Sequence, residues 1–388
     1  MDKETLRPYD AIRPFEPDEL PEVYARLLAD NQFRQVLAWL YPGVSEADIA
    51  KGMNACHTCL EFQFRFCYPF LTQLLEKASK GIGIDTDQID VKKRHTFVSN
   101  HRDIVLDSAL LDKLLVDAGC DTTCEIAIGD NLLSLPWVKD LVRINKSFIV
   151  ERALTMRQML AASKRLSEYM HLVVAQKNDN VWIAQREGRA KDSDDRTQES
   201  VLKMMAMGGE GSVIDRLTAL HIVPLSISYE YDPCDWLKAE ELQCRRDDAG
   251  WKKAPGDDVF SMRTGVTGYK GYIHYHCAPC IDEWLRSLDP DMPKSELFAA
   301  IAHHIDTEIH RGYRLYPGNY VAADLLAGSD AHAAHYTPAE KATFEKYIAT
   351  QLGRVRLERP DRPFLYNRLL TMYANPVINH EKALQEGE

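Results

Sequence analysis

Along the first eighty residues apolar side chains recur at helical spacing, with Leu20, Val23, Leu27 and Leu28 on one stripe. Ser45 to Asp48 reads as a capping box that opens another helix, because a serine side chain can accept the N–H three residues further on. Residues 1–80 are expected to form a helical N-terminal segment. Between 81 and 280 the period changes. Short β-rich runs at His95–Ser99, Glu125–Ile128, Val181–Ala184 and His221–Tyr229 alternate with amphipathic helices, the pattern of an α/β sheet flanked by helices. Beyond Cys280 the helical period returns, which predicts a helical C-terminal extension over 281–388. Two stretches carry more specific expectations. After Thr155 a stripe of Met156, Met159, Leu160, Ser163, Leu166, Met170, Val173 and Val174 predicts a helix packed on the sheet, and the charged, Gly- and Pro-containing run 236–270 reads as a surface excursion.

Composition narrows the classes. With 45% hydrophobic and 27% charged residues in 388, the chain can bury a sizeable core. A net charge of −11 argues against general nucleic-acid binding. The charge is uneven, however: residues 139–165 hold seven basic residues (Lys139, Arg143, Lys146, Arg152, Arg157, Lys164, Arg165) against two acidic ones, a local +5 that suits an anionic ligand, with Arg152 at a strand end the best placed. Arg157, Lys164 and Arg165 fit a solvated helix face equally well. Nine scattered cysteines fit reduced thiols, and the charged N-terminus has no continuous apolar core of the signal-peptide kind. No run is apolar enough to span a bilayer, so the expectation is a cytoplasmic protein with at most peripheral membrane contact.

The densest chemistry lies in Ser99–Ser108. A strand ends at Ser99 and an apolar helix begins near Ile104, which puts His101 in the turn outside the carboxyl end of a strand, where ligands gather in α/β sheets. There the positive end of the following helix favours a neutral imidazole able to accept a proton. A carboxylate beside it would orient the ring and stabilise the imidazolium as it forms. Asp107 and Asp103 are both candidates, and Asp103 also sits where a helix cap belongs. His101, Arg102 and Asp103 spell the opening of a protein-kinase catalytic loop as well, but Ser108 stands where that loop needs Asn, and neither a glycine-rich loop nor a D-F-G follows the kinase order.

Asn100, His101 and Arg102 through Asp107 resemble the first motif, N-H-x4-D, of the glycerolipid acyltransferases, the superfamily of glycerol-3-phosphate and lysophosphatidate acyltransferases. Later blocks resemble that family's remaining motifs in order: Phe148–Arg152, Arg186–Lys191 and Ile222–Ile227, with the run from Ile305 and Asp306 through Tyr313–Pro317 to Asn319 and Tyr320 similar to a downstream segment of some bacterial members. The resemblance implies an acyltransferase-like sheet and transfer of a fatty acyl group from acyl-CoA or acyl carrier protein to a hydroxyl of glycerol-3-phosphate or a lysophospholipid. It implies His101 as base with Asp107 as partner and Asp103 in reserve. The acceptor would be bound by Asn100, Arg102, Arg152, Glu187, Gly188, Arg189 and Lys191. No resident cofactor or metal is implied, and the membrane surface is the implied location. Two departures stand out. Asp107 is the sixth residue after His101 instead of the fifth, and the third block is one residue short between Gly188 and Arg189, which leaves Arg189 and Lys191 as alternatives.

A rival reading uses two CxxC pairs, Cys56/Cys59 and Cys277/Cys280, the second preceded by His274 and His276. Brought together they would form a four-cysteine zinc site, and the chain would be a zinc-stabilised binding scaffold with an altered acyltransferase-like core. Apart from each other they are small buried hydrophobes. His303, His304, Glu308 and His310 do not complete a ligand set at helical spacing and read as a helix surface.

Overall fold

Alternation along the β runs decides which residues face which core. In the computed structural model, which describes residues 1–386 except Ser134, Ala153 and Pro255, seven strands form one sheet: β1 (Gly81–Asp85), β2 (Thr96–Ser99), β3 (Cys124–Gly129), β4 (Ser147–Val150), β5 (Asn180–Ala184), β6 (Ile222–Tyr229) and β7 (Tyr272–Cys277). Their spatial order is β1-β7-β6-β2-β5-β3-β4. The five from β6 to β4 are mutually parallel, and β7 closes antiparallel on β6. Phe97, Trp182 and Val223 stand in register on one face, under Leu71 and Leu75 and under Leu110, Leu111 and Leu114. Val98, Val181 and Ile183 point to the other face, under Leu166, Tyr169 and Met170 and under Ile301, Ile305 and Ile309. Burial on both faces is why the central strands read as apolar runs. The fold is α/β, a seven-stranded sheet flanked by helices.

Helices α1 (Leu20–Ala29), α2 (Asn31–Leu40) and α3 (Glu46–Asn54) build a separate N-terminal core around Tyr24, Phe33 and Met53, and Ser45 caps α3 as its capping pattern predicts. Helix α4 (Tyr68–Ala78) instead joins the sheet, as does α5 (Leu106–Asp117). Helix α6 (Pro136–Ile144) leans on the N-terminal core through Trp137 and Ile144. The Met-rich helix α7 (Met156–Leu172) meets its expectation only in its second half: Leu166, Met170 and the following Val173 and Val174 are buried, whereas Met156, Met159 and Leu160 are exposed. Because α7 begins after the carboxyl end of β4, its first turns lie beyond the strands they would otherwise cover.

The run 236–270 is not a surface excursion. It forms α8 (Asp235–Asp247) and α9 (Asp257–Thr267), with Trp236, Lys238, Glu241 and Ser261 buried. Its charges hid the helices because they are neutralised in pairs, Lys238 by Asp232 and Glu241 by Lys191 and Arg245. Beyond the short helix Asp282–Ser287 come α10 (Lys294–Arg311), α11 (Pro317–Ala327), α12 (Pro338–Gly353) and α13 (Arg362–Gln385); the last three share a core with Ala239 of α8. The His303–His310 stretch is only partly a surface. His310 is buried with Nε2 2.9 Å from the Asp195 carbonyl, and His304 stacks on Trp284, where burial lowers its pKa to about 4.

The four-cysteine site does not assemble. Cys56 and Cys59 belong to the N-terminal helical core, while Cys277 ends β7 in the sheet core and Cys280 lies beside His221 and Asp282. Each pair is held by its own apolar packing, so the zinc-stabilised scaffold loses its ligand set. No helix among the described residues is long and apolar enough to cross a membrane.

Candidate active site

β2 ends at Ser99, and Asn100 continues its ladder with a side chain. The amide Nδ2 donates to the Ile227 carbonyl (2.9 Å) and Oδ1 accepts the Ile227 N–H (2.7 Å), which clips the turn to β6. His101 is thereby held outside the carboxyl ends of the central strands, its ring edge-on to Trp182 at 5.7 Å between centroids. Asp107 lies in the first turn of α5, fully buried. Its Oδ2 is 2.8 Å from His101 Nδ1 and accepts the backbone N–H of Arg102 (2.6 Å) and Asp103 (3.0 Å), while the Tyr229 hydroxyl donates to Oδ1 (3.2 Å). An oxygen already gathering donors makes Nδ1 the protonated ring nitrogen and leaves Nε2 as the acceptor. The one-residue departure in spacing is absorbed by the turn from Arg102 to Val105, so Asp107 still reaches the ring.

Asp103 is not the partner of His101. Its Oδ1 accepts the N–H groups of Val105 (2.9 Å) and Leu106 (2.8 Å), the work of a cap, and burial together with the nearby Asp107 raises its pKa. Arg102 and Asn100 do not face a ligand either. Arg102 is buried against Asp195 (Nη1 to Oδ1 2.9 Å, Nη2 to Oδ2 2.6 Å), and the Tyr313 hydroxyl donates to the same carboxylate. The buried Lys238 ammonium donates to the Arg102 carbonyl (3.1 Å). This network sets the backbone on both sides of His101 and is spent internally.

His101 opens onto a cleft of about 700 Å³, within the range of small-molecule sites. One part is apolar, lined by Ile104, Val105, Ile126, Leu133, Val138 and Val142; another is cationic, lined by Arg152, Arg186, Arg189, Lys191, Arg245 and Lys253. Arg152 crosses the end of β3, where a β-carbon on Gly129 would press on its guanidinium, and pairs with Glu187 at 3.2 Å. Gly188 holds a left-handed backbone (φ 70°) that turns the chain between Glu187 and Arg189. Arg189 donates from Nη2 to Ser261 Oγ (3.0 Å), while its Nη1 is buried without a protein partner, as is Arg186 Nε. Lys191 lies 3.0 Å from Glu241; burial and the neighbouring Arg189 bring its pKa down to about 8. Both alternatives of the shortened third block, Arg189 and Lys191, therefore border the cleft.

The basic stretch 139–165 does not converge there. Lys146 is buried on Asp179 (2.9 Å), Arg143 donates to the carbonyls of Arg13 and Asp10, Arg165 pairs with Glu151 and Lys164 with Glu168. Arg152 alone of the seven lines the cleft among the described residues. Sequence reasoning missed Trp182, Asp195, Tyr229, Glu241 and Lys253. Tyr229 could have been found as the last residue of the longest β run; nothing local marks Asp195, whose partners Arg102 and Tyr313 lie about a hundred residues away on either side.

A strand-end histidine backed by a buried carboxylate, with Nε2 left as acceptor at a cleft part apolar and part cationic, can take a proton from a group bound there. Residues 83–228 match the family described as Acyltransferase, so this stretch is an acyltransferase domain. All four motif blocks singled out in the sequence lie within that matched stretch. Among solved structures it is similar to the 1-acyl-sn-glycerophosphate acyltransferase of Thermotoga maritima, at 12% identity and a TM-score of 0.36, covering 74% of this chain and 93% of that one. No curated protein matches.

Proposed function

We propose that the enzyme transfers a fatty acyl group from acyl-CoA or acyl carrier protein to a hydroxyl of glycerol-3-phosphate or a lysophospholipid, a step of phospholipid synthesis carried out peripherally at the cytoplasmic membrane face. The observation that carries this reading is the free Nε2 of His101 at a cleft whose apolar part suits an acyl chain and whose cationic part suits a phosphate. The acceptor hydroxyl donates to Nε2; as its oxygen forms a bond to the thioester carbonyl carbon, the proton passes to His101. Asp107 stabilises the imidazolium. Collapse of the tetrahedral adduct breaks the carbon–sulfur bond, and His101 returns the proton to the departing thiolate. Arg152 and the turn Glu187–Lys191 hold the phosphate, with Arg189 Nη1 the donor left for it. Binding both substrates in one cleft supplies the proximity, so no acyl-enzyme is needed. His101→Ala is expected to lower transfer from a thioester to glycerol-3-phosphate by about 10²–10⁴-fold with unchanged circular dichroism, and Asp107→Asn to lower it as well. Undiminished transfer by H101A would overturn the assignment.

A further inference from the structure

The first two turns of α7 present Met156, Met159 and Leu160 to solvent at 85%, 46% and 65% exposure. At i, i+3 and i+4 they share one helix face. Scattered exposed apolar residues are ordinary, but three long side chains on one face, with nothing packed over them, form a surface that needs covering. Its charge surroundings are selective. Of the four cations of residues 151–165, Arg152, Lys164 and Arg165 are paired with Glu187, Glu168 and Glu151. Arg157, between the apolar positions, has no carboxylate partner among the described residues. One unpaired arginine among apolar side chains, in a chain of net charge −11, favours an anionic surface over a neutral one at this face. The face also adjoins the catalytic cleft: Met159 borders a cavity of about 280 Å³ that shares Gly129, Arg152, Arg186 and Glu187 with the cleft of His101.

We propose that the exposed apolar face of α7, Met156, Met159 and Leu160 with Arg157 among them, docks the enzyme on an anionic lipid bilayer and turns the mouth of its cleft toward the acyl chains. The inference rests on the acyltransferase reading for its purpose, since a lysolipid acceptor or a lipid product must cross between bilayer and cleft. Its geometry is that of an interfacial helix, apolar side chains inward and arginine at the headgroup level. A bilayer fits better than an acidic carrier protein because the most exposed groups of the face are apolar, whereas a carrier would be met by a dense set of unpaired cations.

Co-flotation with phosphatidylethanolamine–phosphatidylglycerol vesicles tests this, with phosphatidylcholine vesicles as the neutral control. The wild type is expected to float with the anionic vesicles. The double variant Met156→Ser/Leu160→Ser is expected to lose at least about tenfold in partitioning, the effect of leaving two such side chains without an apolar environment, and Arg157→Glu to lose the preference for anionic vesicles. Transfer from a short, water-soluble acyl-CoA to glycerol-3-phosphate is expected to be unchanged in the double variant. Flotation of the double variant equal to wild type overturns the proposal, as does a wild type that stays unbound to vesicles or one in which these substitutions weaken capture of acyl carrier protein and leave vesicle binding intact. Flotation needs no turnover, so an inactive wild type that floats through Met156 and Leu160 would refute the acyltransferase substrates and leave the docking face standing.

Discussion

Asp195 never touches His101, yet the turn that carries His101 depends on it. It neutralises Arg102, which sits fully inside the protein one residue after His101, and receives the Tyr313 hydroxyl. Asp195→Ala leaves a buried guanidinium without its counter-charge and is expected to cost about 3–5 kcal/mol, read as a lower urea midpoint, with acyl transfer falling in parallel. Lys191 carries a pH prediction of its own. With a pKa lowered to about 8 it is cationic below that value and neutral above it. Affinity for a phosphorylated acceptor is thus expected to weaken as pH rises through about 8, seen as a rising KM, while Lys191→Arg, whose guanidinium stays charged, keeps KM level. At this scale the sequence displayed His101 and its carboxylate, because a strand end and a helix start bracket them within nine residues. It could not display Asp195 or choose between Asp103 and Asp107. That choice depends on where a side chain points after the turn closes: Asp103 folds onto the N–H groups of Val105 and Leu106, and only Asp107 is left to meet the ring.

Among the elements, α9 has the most direct hold on the site. Its Gly265 lies against Asp103, so that a β-carbon there would overlap the carboxylate. Replacing an interior helix glycine with alanine ordinarily gains about 1 kcal/mol. Here the overlap wins, because Asp103 is already committed to two backbone N–H groups and cannot swing away. Gly265→Ala is expected to destabilise the protein by about 1–3 kcal/mol and to reduce kcat more than it raises KM, measured by thermal unfolding and steady-state kinetics. Helices α8 and α9 were also the least legible elements. Their apolar stripe is diluted by Lys238, Glu241 and other charges that are buried as pairs, and a periodicity argument counts each such residue as solvated. In α7 the opposite error occurs, since a stripe of uniform appearance along the sequence meets the sheet only from Leu166 onward.

For the whole molecule, the C-terminal helices are tied to the catalytic part through Asp235 at the start of α8. Its carboxylate accepts from the hydroxyls of Tyr347 (2.6 Å) and Tyr373 (2.7 Å) and from the Gln351 amide, and burial raises its pKa to about 7. A folded-state pKa above the unfolded one means that the native protein holds the proton more tightly. The resulting stability is complete below the unfolded value, near 3.9, and is lost as pH rises through about 7. Urea midpoints are therefore expected to fall from mildly acid to mildly alkaline pH, and Asp235→Asn, which keeps the shape and removes the ionisation, to flatten that fall. The sequence by itself determined the class: strand and helix periods set an α/β sheet, and four ordered motifs set the acyltransferase chemistry, because both are written in residues close together along the chain. The site's electrostatics were decided only in three dimensions. The basic excess after Lys139 is largely consumed by Asp179, Glu151, Glu168 and backbone carbonyls, and the cations that surround the cleft come from the residue just beyond β4, the turn after β5 and the segment beyond residue 235. Charge attracts over distances that only the folded chain specifies, so a local count of lysines and arginines pointed to the wrong stretch for most of the cations that line the cleft.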